Sequence, residues 1–272
     1  MNADNLDTLE RVYNRALKLE KAGRLDEAAE AWREVLRIDP DDCGGAAVRL
    51  AAMGRGATPD RASPAYVMTL FDQHADAFDD ILVRQLGYDV PNLIARALSD
   101  CAPGPYARML DLGCGTGLCA VALEDITRER VAVDLSEEMI GLAAERDLYD
   151  DLYIGEIVSF LQEQTDEPDW DLIVAADVLP YLGGVEALFR ATASRLNPDG
   201  LFAFSTETLS AEALNGEPFM VGPNHRFAHD LAYLEAALPK SGLLMLHAEP
   251  ITVRHEEGEP VPGHLVLARK ER

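Results

Sequence analysis

The sequence predicts an α/β protein built on a doubly wound, seven-stranded, mostly parallel sheet. From residue 106 onward, short apolar runs alternate with helical patterns. A glycine-rich turn follows the first of these runs, in DLGCGTG at 111–117. Alternation of this kind places helices on both faces of a parallel sheet and places ligands beyond the carboxyl ends of the strands.

The strand candidates of this region are five apolar runs: RMLDL, RVAVDL, DLYIG, DLIVAADV and LFAFST. Helical patterns lie between or after them, at 118–127, 137–147, 157–164 and 184–196. The C-terminal part predicts a helix at 228–239 and two strands, LLMLHAEPITVR and HLVLARK, around a turn rich in Gly and Pro. These last two strands are expected to pair as a hairpin that closes the edge of the sheet.

Residues 1–58 predict a helical hairpin, because apolar residues recur at helical spacing in two runs that break at Gly23 and stop at Pro40. The spacing of Gly23, Ala28, Trp32 and Pro40 resembles one tetratricopeptide repeat, although any amphipathic hairpin gives part of this pattern. No second copy follows 34 residues later, and fewer than about three repeats seldom stand alone. The hairpin is therefore expected to dock on the rest of the chain or on a second subunit.

Two further segments complete the predicted organisation. A stretch rich in Gly and Pro, GRGATPDRASP, begins at residue 54 and is typical of a linker. Residues 59–104 are predicted to form a helical lid, with Phe71 and Phe78 on one helical stripe, and a plain packing helix is the alternative. Residues 105–272 then form the α/β core.

Composition narrows the class of partner. The chain has 272 residues, with 48 acidic and 24 basic side chains and a net charge of -24. Such a surface repels a phosphate backbone, so nucleic acid is not an expected partner. The first residues carry neither a basic nor an apolar leader pattern, and no apolar run reaches the roughly 18 residues of a membrane span. We therefore expect a cytoplasmic protein with no membrane contact.

The cysteines and histidines predict no metal site. The four cysteines lack a paired CxxC pattern and are expected to be free, with Cys114 and Cys119 either small packing residues or a redox pair. His225 and His229 stand four residues apart, a spacing that can bind zinc on one helix face, but no third ligand stands at a known spacing.

The glycine loop predicts a nucleoside site. Gly113, Gly115 and Gly117 leave the backbone bare where a strand turns into a helix, so a ligand can lie against it. Asp134 ends the next strand, 21 residues after Gly113, where its carboxylate can accept hydrogen bonds from a ribose diol. Leu118 stands where a dinucleotide fingerprint requires a third glycine, and a P-loop lysine is absent, so NAD and ATP are disfavoured.

Four segments in this order, DLGCGTG, VDLSEEM, DVLPYL and LNPDGLFAFS, resemble the class I S-adenosylmethionine-dependent methyltransferases. The resemblance covers roughly residues 66–272, and the N-terminal hairpin is similar to that of a subgroup with a tetratricopeptide segment. It implies a Rossmann-like sheet of seven strands, the last two forming an antiparallel hairpin. It also implies S-adenosylmethionine as methyl donor and S-adenosylhomocysteine as product.

The resemblance implies a cofactor site at the strand ends. Asp111 and the backbone of Gly113 would hold the methionine end, Gly115 would allow close approach, and Asp134 would bind the ribose. The implied cofactor residues are Asp111, Gly113, Cys114, Gly115, Asp134, Leu135, Met139, Glu156, Ile157 and Asp177.

Three of these implied roles have structural alternatives. Met139 would lie against the adenine, Glu156 would border the adenine edge, and Asp177 would form the floor of the site. An acid at the end of a strand can instead cap the next helix, which is the alternative for Glu156 and Asp177. Met139, taken alone, could be a core residue.

Methyl transfer demands little of side chains, because the sulfonium of the donor already makes its methyl group electrophilic. The protein aligns the acceptor, and a general base is needed only where the acceptor holds a proton. The candidates near the acceptor are His74, Tyr181, His225, Arg226 and His229, each of which could equally be a surface or capping residue. Arg226 could clamp a carboxylate or phosphate of the acceptor, or could merely begin the next helix and face solvent.

The sequence thus predicts S-adenosylmethionine-dependent methyl transfer to a small-molecule acceptor by in-line displacement. The hairpin would serve as a docking or dimer element. Two alternatives stay open: a protein methyltransferase whose hairpin recruits its target, and a cofactor-binding regulator without transfer activity.

Overall fold

A largely parallel sheet with helices on both faces forms the centre of the protein in the computed structural model, which describes residues 3–163 and 169–272. Its strands are β1 Tyr106–Leu112, β2 Thr127–Asp134, β3 Asp151–Ile154, β4 Trp170–Ala175, β5 Leu196–Glu207, β6 Phe219–Val221, β7 Phe227–His229, β8 Leu243–Glu256 and β9 Glu259–Lys270. The α-helices are α1 Ala3–Lys21, α2 Leu25–Ile38, α3 Ala46–Ala52, α4 Pro64–Asp72, α5 Val90–Cys101, α6 Leu118–Leu123, α7 Glu137–Glu145, α8 Ile157–Gln162, α9 Glu186–Arg195, α10 Ala211–Leu214 and α11 Leu231–Lys240.

The strand order confirms the predicted fold class. Strands β3, β2, β1, β4 and β5 lie side by side in parallel, β9 pairs antiparallel with β5, and β8 pairs antiparallel with β9. These seven strands form the doubly wound sheet, with the predicted C-terminal hairpin at its edge. In addition, β6 and β7 form a small hairpin that joins the sheet where Ala228 pairs with Glu207.

The structure corrects the predicted helix at 228–239. Phe227–His229 form strand β7, and α11 begins only at Leu231, because the Asp230 side chain accepts a hydrogen bond from the backbone N–H of Ala232 and caps the helix there. His225 and His229 therefore do not share a helix face. The alternative in which Arg226 begins this helix is wrong for the same reason.

Helix boundaries elsewhere differ from the predicted patterns by a few residues. The pattern at 118–127 divides into α6 and a single 3₁₀ turn, because β2 already begins at Thr127. Residue 164, the predicted end of the fourth helical pattern, lies outside the described residues.

The sheet has an apolar core on each face, as strand alternation requires. On one face Leu110 of β1 belongs to a buried cluster with Phe189 of α9 and Leu238 of α11. On the other face its neighbour Met109 packs in a cluster with Ile94 of α5. The helices thereby fix the strand ends, where the functional loops emerge.

The N-terminal helical hairpin, α1 and α2, has an apolar cluster of its own, which α3 completes. Trp32 is fully buried at its centre, next to the fully buried Ala28, and the Trp32 indole N–H donates to the Glu20 carboxylate over 2.8 Å. Gly23 makes the turn between α1 and α2 with a positive φ of 71°. The predicted hairpin is present.

The N-terminal helices also pack against the core. Val48 of α3 is buried in a cluster with Tyr181, Val221 and Phe227. Glu20 of α1 approaches the imidazole Nε2 of His225 to 3.3 Å, in the turn between β6 and β7. One end of the hairpin therefore contacts the small β6–β7 hairpin.

The predicted lid lies between the N-terminal helices and the sheet. Ser63 caps α4, because its hydroxyl accepts a hydrogen bond from the N–H of Ala65. A 3₁₀ turn at Ala75–Ala77 and a π-helical segment at Asp80–Gln85 follow, before α5 begins. The segment brings Phe71 and Phe78 together, with ring centroids 5.8 Å apart.

We expect deletion of residues 1–58 to lower the melting temperature while leaving a folded chain that binds S-adenosylhomocysteine within about threefold of the intact protein. The deletion removes Val48 and uncovers Val221 and Phe227, which weakens packing, but it removes no strand of the sheet. Thermal unfolding and calorimetry on both proteins measure the two effects. An insoluble or non-binding truncated chain would show that these residues belong to the core.

Candidate active site

A cavity lies at the carboxyl ends of β1, β2 and β4, between the glycine loop and the lid. The space between its walls is about 980 Å³, the open mouth included. Glycine-loop residues line one side, and the lid residues Val67, Phe71, Phe78 and Leu82 line another. This is the place where a doubly wound sheet is expected to bind its ligand.

The glycine loop follows a backbone path that side chains would block. Gly113, Gly115 and Gly117 all have positive φ, at 66°, 52° and 89°. A Cβ atom on Gly113 would lie 2.6 Å from a methyl group of Val178, which is far inside contact distance. The Gly113 N–H also donates to the Val133 carbonyl over 2.8 Å, which ties the loop to β2.

Asp134 lines the cavity at the end of β2, as predicted. One carboxylate oxygen, Oδ2, accepts a hydrogen bond from the Gly115 N–H over 2.8 Å, and the other, Oδ1, accepts from the Ser136 N–H over 2.9 Å. Burial raises the pKa of this carboxyl group, and the backbone hydrogen bonds oppose that shift. Because each carboxylate oxygen can accept more than one hydrogen bond, both retain capacity for a diol.

Asp111 lies beneath the loop, outside the cavity lining. It is buried and accepts a hydrogen bond from the Tyr149 hydroxyl over 2.6 Å. Burial raises the pKa of Asp111 to about 7, while the Tyr149 hydrogen bond acts in the opposite direction. The structure thus gives its side chain a supporting contact beneath the loop and does not place it in the cavity lining.

The remaining cofactor candidates, Cys114, Leu135, Met139 and Ile157, divide into two groups. Cys114, Leu135 and Ile157 line the cavity beside the loop. Met139 is fully buried in α7 and is absent from the cavity lining, so its observed role is packing.

Glu156 lines the cavity and also caps α8, which is the structural alternative considered for it. Its carboxylate accepts hydrogen bonds from the N–H groups of Val158 and Ser159, over 3.2 and 2.9 Å. The guanidinium of Arg61, at the rim of the cavity, lies 3.6 Å from the same carboxylate. Both observations fix the position of the acid.

Asp177, after β4, lines the cavity and belongs to a buried cluster of charged side chains. Arg226 donates from Nη2 to Asp177 over 2.7 Å, and its Nε lies 2.6 Å from the Glu207 carboxylate. Arg254 donates to the same Glu207 oxygen over 2.7 Å. The left-handed backbone of Asp177, with φ of 59°, is held by a hydrogen bond from its N–H to the Ser205 hydroxyl.

Tyr181 is buried, lines the cavity and connects it to this cluster. Its hydroxyl accepts a hydrogen bond from Nη1 of Arg226 over 2.9 Å, and the Arg226 guanidinium lies 5.0 Å from the Tyr181 ring centroid. The ring also meets Phe71 of the lid edge-to-face at 5.4 Å. Burial raises the pKa of Tyr181, so its phenol is neutral near pH 7.

The three candidate histidines lie away from the cavity lining. His74 is exposed, and His225 contacts Glu20 of the N-terminal hairpin. His229 is fully buried, with its Nε2 3.1 Å from the Gly183 carbonyl oxygen, and burial lowers the pKa of this imidazole to about 4. Of the five acceptor-side candidates, the structure brings only Tyr181 to the cavity, with Arg226 directly behind it.

Sequence reasoning missed two lid carboxylates that fasten the lid to the cofactor side. Asp72 accepts a hydrogen bond from the Ser136 hydroxyl over 2.5 Å. Asp79 accepts from the Thr116 hydroxyl over 2.5 Å and pairs with Arg146. No periodicity or motif marks these acids, because their partners lie between 37 and 67 residues away in the chain.

The described residues contain no cluster of three or more metal-binding side chains, and no described helix combines the length and apolar character that a membrane crossing requires.

A family profile described as "Methyltransferase domain" matches residues 82–248. The chain belongs to this methyltransferase family. The match confirms the predicted methyltransferase class, for which S-adenosylmethionine is the expected methyl donor. The site fits this cofactor, because the bare glycine backbone and the Asp134 carboxylate line one cavity.

Two relatives illustrate the similarity. A ubiquinone biosynthesis O-methyltransferase of Xanthomonas campestris pv. campestris is 30% identical over 104 residues, which are 38% of this chain and 44% of the relative. A malonyl-[acyl-carrier protein] O-methyltransferase of Halalkalibacterium halodurans is 29% identical over 144 residues, covering 50% of this chain and 52% of the relative. The chain thus spans about half the length of these curated relatives, or less.

Solved structures share the fold. An S-adenosylmethionine-dependent methyltransferase from Clostridium acetobutylicum has a TM-score of 0.54 and 18% identity, covering 75% of this chain and 100% of that chain. The N-methyltransferase NodS from Bradyrhizobium japonicum, crystallised with S-adenosyl-L-homocysteine, has a TM-score of 0.51 and 19% identity, covering 67% of this chain and 86% of that chain. At these identities the likeness establishes the fold alone.

We expect Gly113→Ala to weaken S-adenosylhomocysteine binding at least about tenfold, a loss of roughly 1.4 kcal/mol. The new methyl group would require a positive φ and would collide with Val178, so the loop must shift. Calorimetry measures the affinity. Gly141→Ala is the matched control, because a Cβ atom at this helical position meets no atom within 4 Å. Equal affinities for the two variants would contradict the role assigned to the loop backbone.

The raised pKa of Asp111 implies that the stability of the protein depends on pH. Its pKa in the folded protein is about 7, against an ordinary value of 3.8, so the folded state holds more protons than the unfolded state between those pH values. Its contribution to the free energy of unfolding therefore falls as pH rises from about 4 to 7 and is constant above.

Asp111→Asn removes this titration while keeping an acceptor for Tyr149. As pH rises from about 4 to 7, the free energy of unfolding of the parent should fall relative to that of the variant by up to about 1.4 kcal/mol per pH unit. Urea unfolding at a series of pH values measures the difference. Asp125→Asn, at an exposed position, is the control. Parallel curves for parent and Asp111→Asn would disprove the raised pKa.

Proposed function

We propose that this protein transfers a methyl group from S-adenosylmethionine to a small-molecule acceptor held between the glycine loop and the lid. The observation that carries the proposal is that the glycine loop, the Asp134 carboxylate and the aromatic lid residues Phe71 and Phe78 line one and the same cavity. A nucleoside-binding edge and an apolar wall therefore face each other.

The cofactor side would be formed mainly by backbone. The loop between Gly113 and Gly117 offers bare backbone to the donor, and Asp134 offers carboxylate oxygens to the ribose diol. Leu135 and Ile157, which line the cavity, would provide apolar contacts for the adenine, and Glu156 would lie at its edge. When bound, S-adenosylmethionine supplies an electrophilic methyl group, so the chain needs no nucleophile of its own.

The acceptor side supports alignment and exclusion of water. The lid residues Phe71, Phe78 and Leu82 cover the cavity, and their apolar surface would exclude water from a closed site. In-line displacement then requires that the acceptor atom be held on the side of the methyl group opposite the sulfur. The two curated relatives named above are O-methyltransferases, which favours a small-molecule acceptor.

We further propose that residues 1–58 form a tetratricopeptide-like docking element, residues 59–104 the lid, and residues 105–272 the catalytic core. The burial of Ala28 beside Trp32 supports the first assignment, because this is the small-and-large pairing that the repeat requires. The outer face of this element is available for a second copy of the chain or for a protein partner.

Asp134→Ala tests the proposed function. We expect the variant to bind S-adenosylhomocysteine about 10- to 100-fold more weakly, because the hydrogen bonds from a diol to a carboxylate are lost, at roughly 1.5–3 kcal/mol. Calorimetry measures the dissociation constants, and Asp125→Ala, exposed at the opposite end of β2, is the control. Parent-like affinity in Asp134→Ala would refute the assignment.

The Asp134 substitution also removes a partner of the Gly115 N–H, so the loop itself could change. Asp134→Asn separates the two effects, since an amide oxygen still accepts one hydrogen bond. We expect its melting temperature to stay near that of the parent and its affinity to fall between those of the parent and Asp134→Ala.

A further inference from the structure

We propose that the acceptor is an uncharged, largely apolar molecule with an oxygen atom that accepts a hydrogen bond from Tyr181. The inference rests on the proposed function, because it concerns the acceptor side of the same cavity. Three observations carry it: the orientation of the Tyr181 hydroxyl, the charges of the cavity walls, and the apolar lid.

The contact with Arg226 fixes how Tyr181 can act. A guanidinium group has only donors, so in the 2.9 Å contact the Tyr181 oxygen is the acceptor and its own proton is directed elsewhere. The Tyr181 hydroxyl donates a hydrogen bond to none of the described residues. A buried tyrosine hydroxyl usually finds a partner, and Tyr181 lines the cavity. A ligand oxygen in the cavity would supply the missing acceptor.

The charges of the walls oppose an anionic acceptor. The charged residues that line the cavity are Asp134, Glu156, Asp177 and Arg61. The only cation among these four, Arg61, is half exposed at the rim and lies 3.6 Å from Glu156. Among the protein's own side chains, a carboxylate or phosphate inside the cavity would therefore meet acids and no uncommitted cation, and burying an anion without a protein partner is costly.

The buried cluster behind Tyr181 does not change this conclusion. Arg226 and Arg254 are its two cations, and they are shared among the carboxylates of Asp177, Glu207 and Glu256. Three acids outnumber two bases, so Arg226 has no excess charge to offer an incoming anion. The arginine clamp considered from the sequence is replaced by a tyrosine donor that Arg226 holds in place.

The apolar lid completes the description of the acceptor. Val67, Phe71, Phe78 and Leu82 line the cavity from the lid, and Leu182 lines it beside Tyr181. Such walls favour an apolar or aromatic body. Two phenols of the described residues line the cavity, Tyr88 and Tyr181, and Tyr181 is the one whose hydroxyl Arg226 holds in place.

The test uses the full chain saturated with S-adenosylhomocysteine and three probes with one apolar body: 3-phenylpropanol, 3-phenylpropanoate and propylbenzene. Calorimetry gives their dissociation constants. We expect the parent to bind the alcohol at least about tenfold more tightly than the carboxylate. Tyr181→Phe should weaken binding of the alcohol about threefold to tenfold. It should leave the affinity for propylbenzene within about twofold of the parent value.

Tyr153→Phe is the matched control, because the same hydroxyl is removed from a half-exposed residue of β3, away from the cavity. It should leave the dissociation constants of the alcohol and of propylbenzene unchanged. The selective loss for the alcohol is the decisive measurement, since a general loosening of the cavity would weaken propylbenzene equally.

Three results would overturn the proposal: a carboxylate that binds as tightly as the alcohol, an alcohol affinity that Tyr181→Phe leaves unchanged, or no binding of any probe to the loaded protein. Failure of S-adenosylhomocysteine itself to bind would instead refute the proposed function. The two failures are therefore distinguishable.

Discussion

The hydrogen bond from the Gly115 amide to the Asp134 carboxylate joins the ends of β1 and β2, and the rest of the site depends on it. It holds a glycine loop whose positive φ angles give it little intrinsic preference for one path. Asp111 and Tyr149 support the loop from beneath, and Asp79 of the lid contacts it from above. A bare backbone becomes a defined surface only because these acids surround it.

The two sides of the cavity achieve order by different means. On the cofactor side, short-range hydrogen bonds from backbone amides to a carboxylate position the glycine loop, and no glycine side chain occupies the space above it. The acceptor side uses long side chains from β5, β8 and the turn before β7, which meet in a buried charge cluster behind Tyr181. The first arrangement suits a ligand that lies on backbone, and the second suits one that is oriented by a single polar group.

Much of this architecture could be predicted from the sequence, because its signals are local. The glycine spacing and the acid at the end of the following strand depend on neighbouring residues, so the sequence alone indicates Gly113, Gly115 and Asp134, which line one cavity. The alternation of patterns predicts the doubly wound, mostly parallel sheet, and the family resemblance implies its seven strands. The small hairpin β6–β7 was missed because each strand has three residues, too few for a period-two pattern to emerge.

The acceptor side could be predicted only in part, because its contacts join residues distant in the chain. Glu207 and Arg254 carry no motif, and only the fold brings them to Arg226. His229 has a reactive type of side chain, yet it is buried against a backbone carbonyl and does not line the cavity. Residue type thus indicates what a side chain can do, whereas long-range packing decides whether it meets a ligand.

The buried charge cluster has a consequence for how this chain can vary in evolution. Removing any one of Asp177, Glu207, Arg226 or Arg254 takes one partner away from each opposite charge it contacts and changes the balance of a largely buried cluster, which is more damaging than replacing the whole set by apolar residues. Substitutions at these four positions are therefore strongly coupled. A lineage that changes its acceptor here must pass through compensated double changes, so these positions should vary together among homologues.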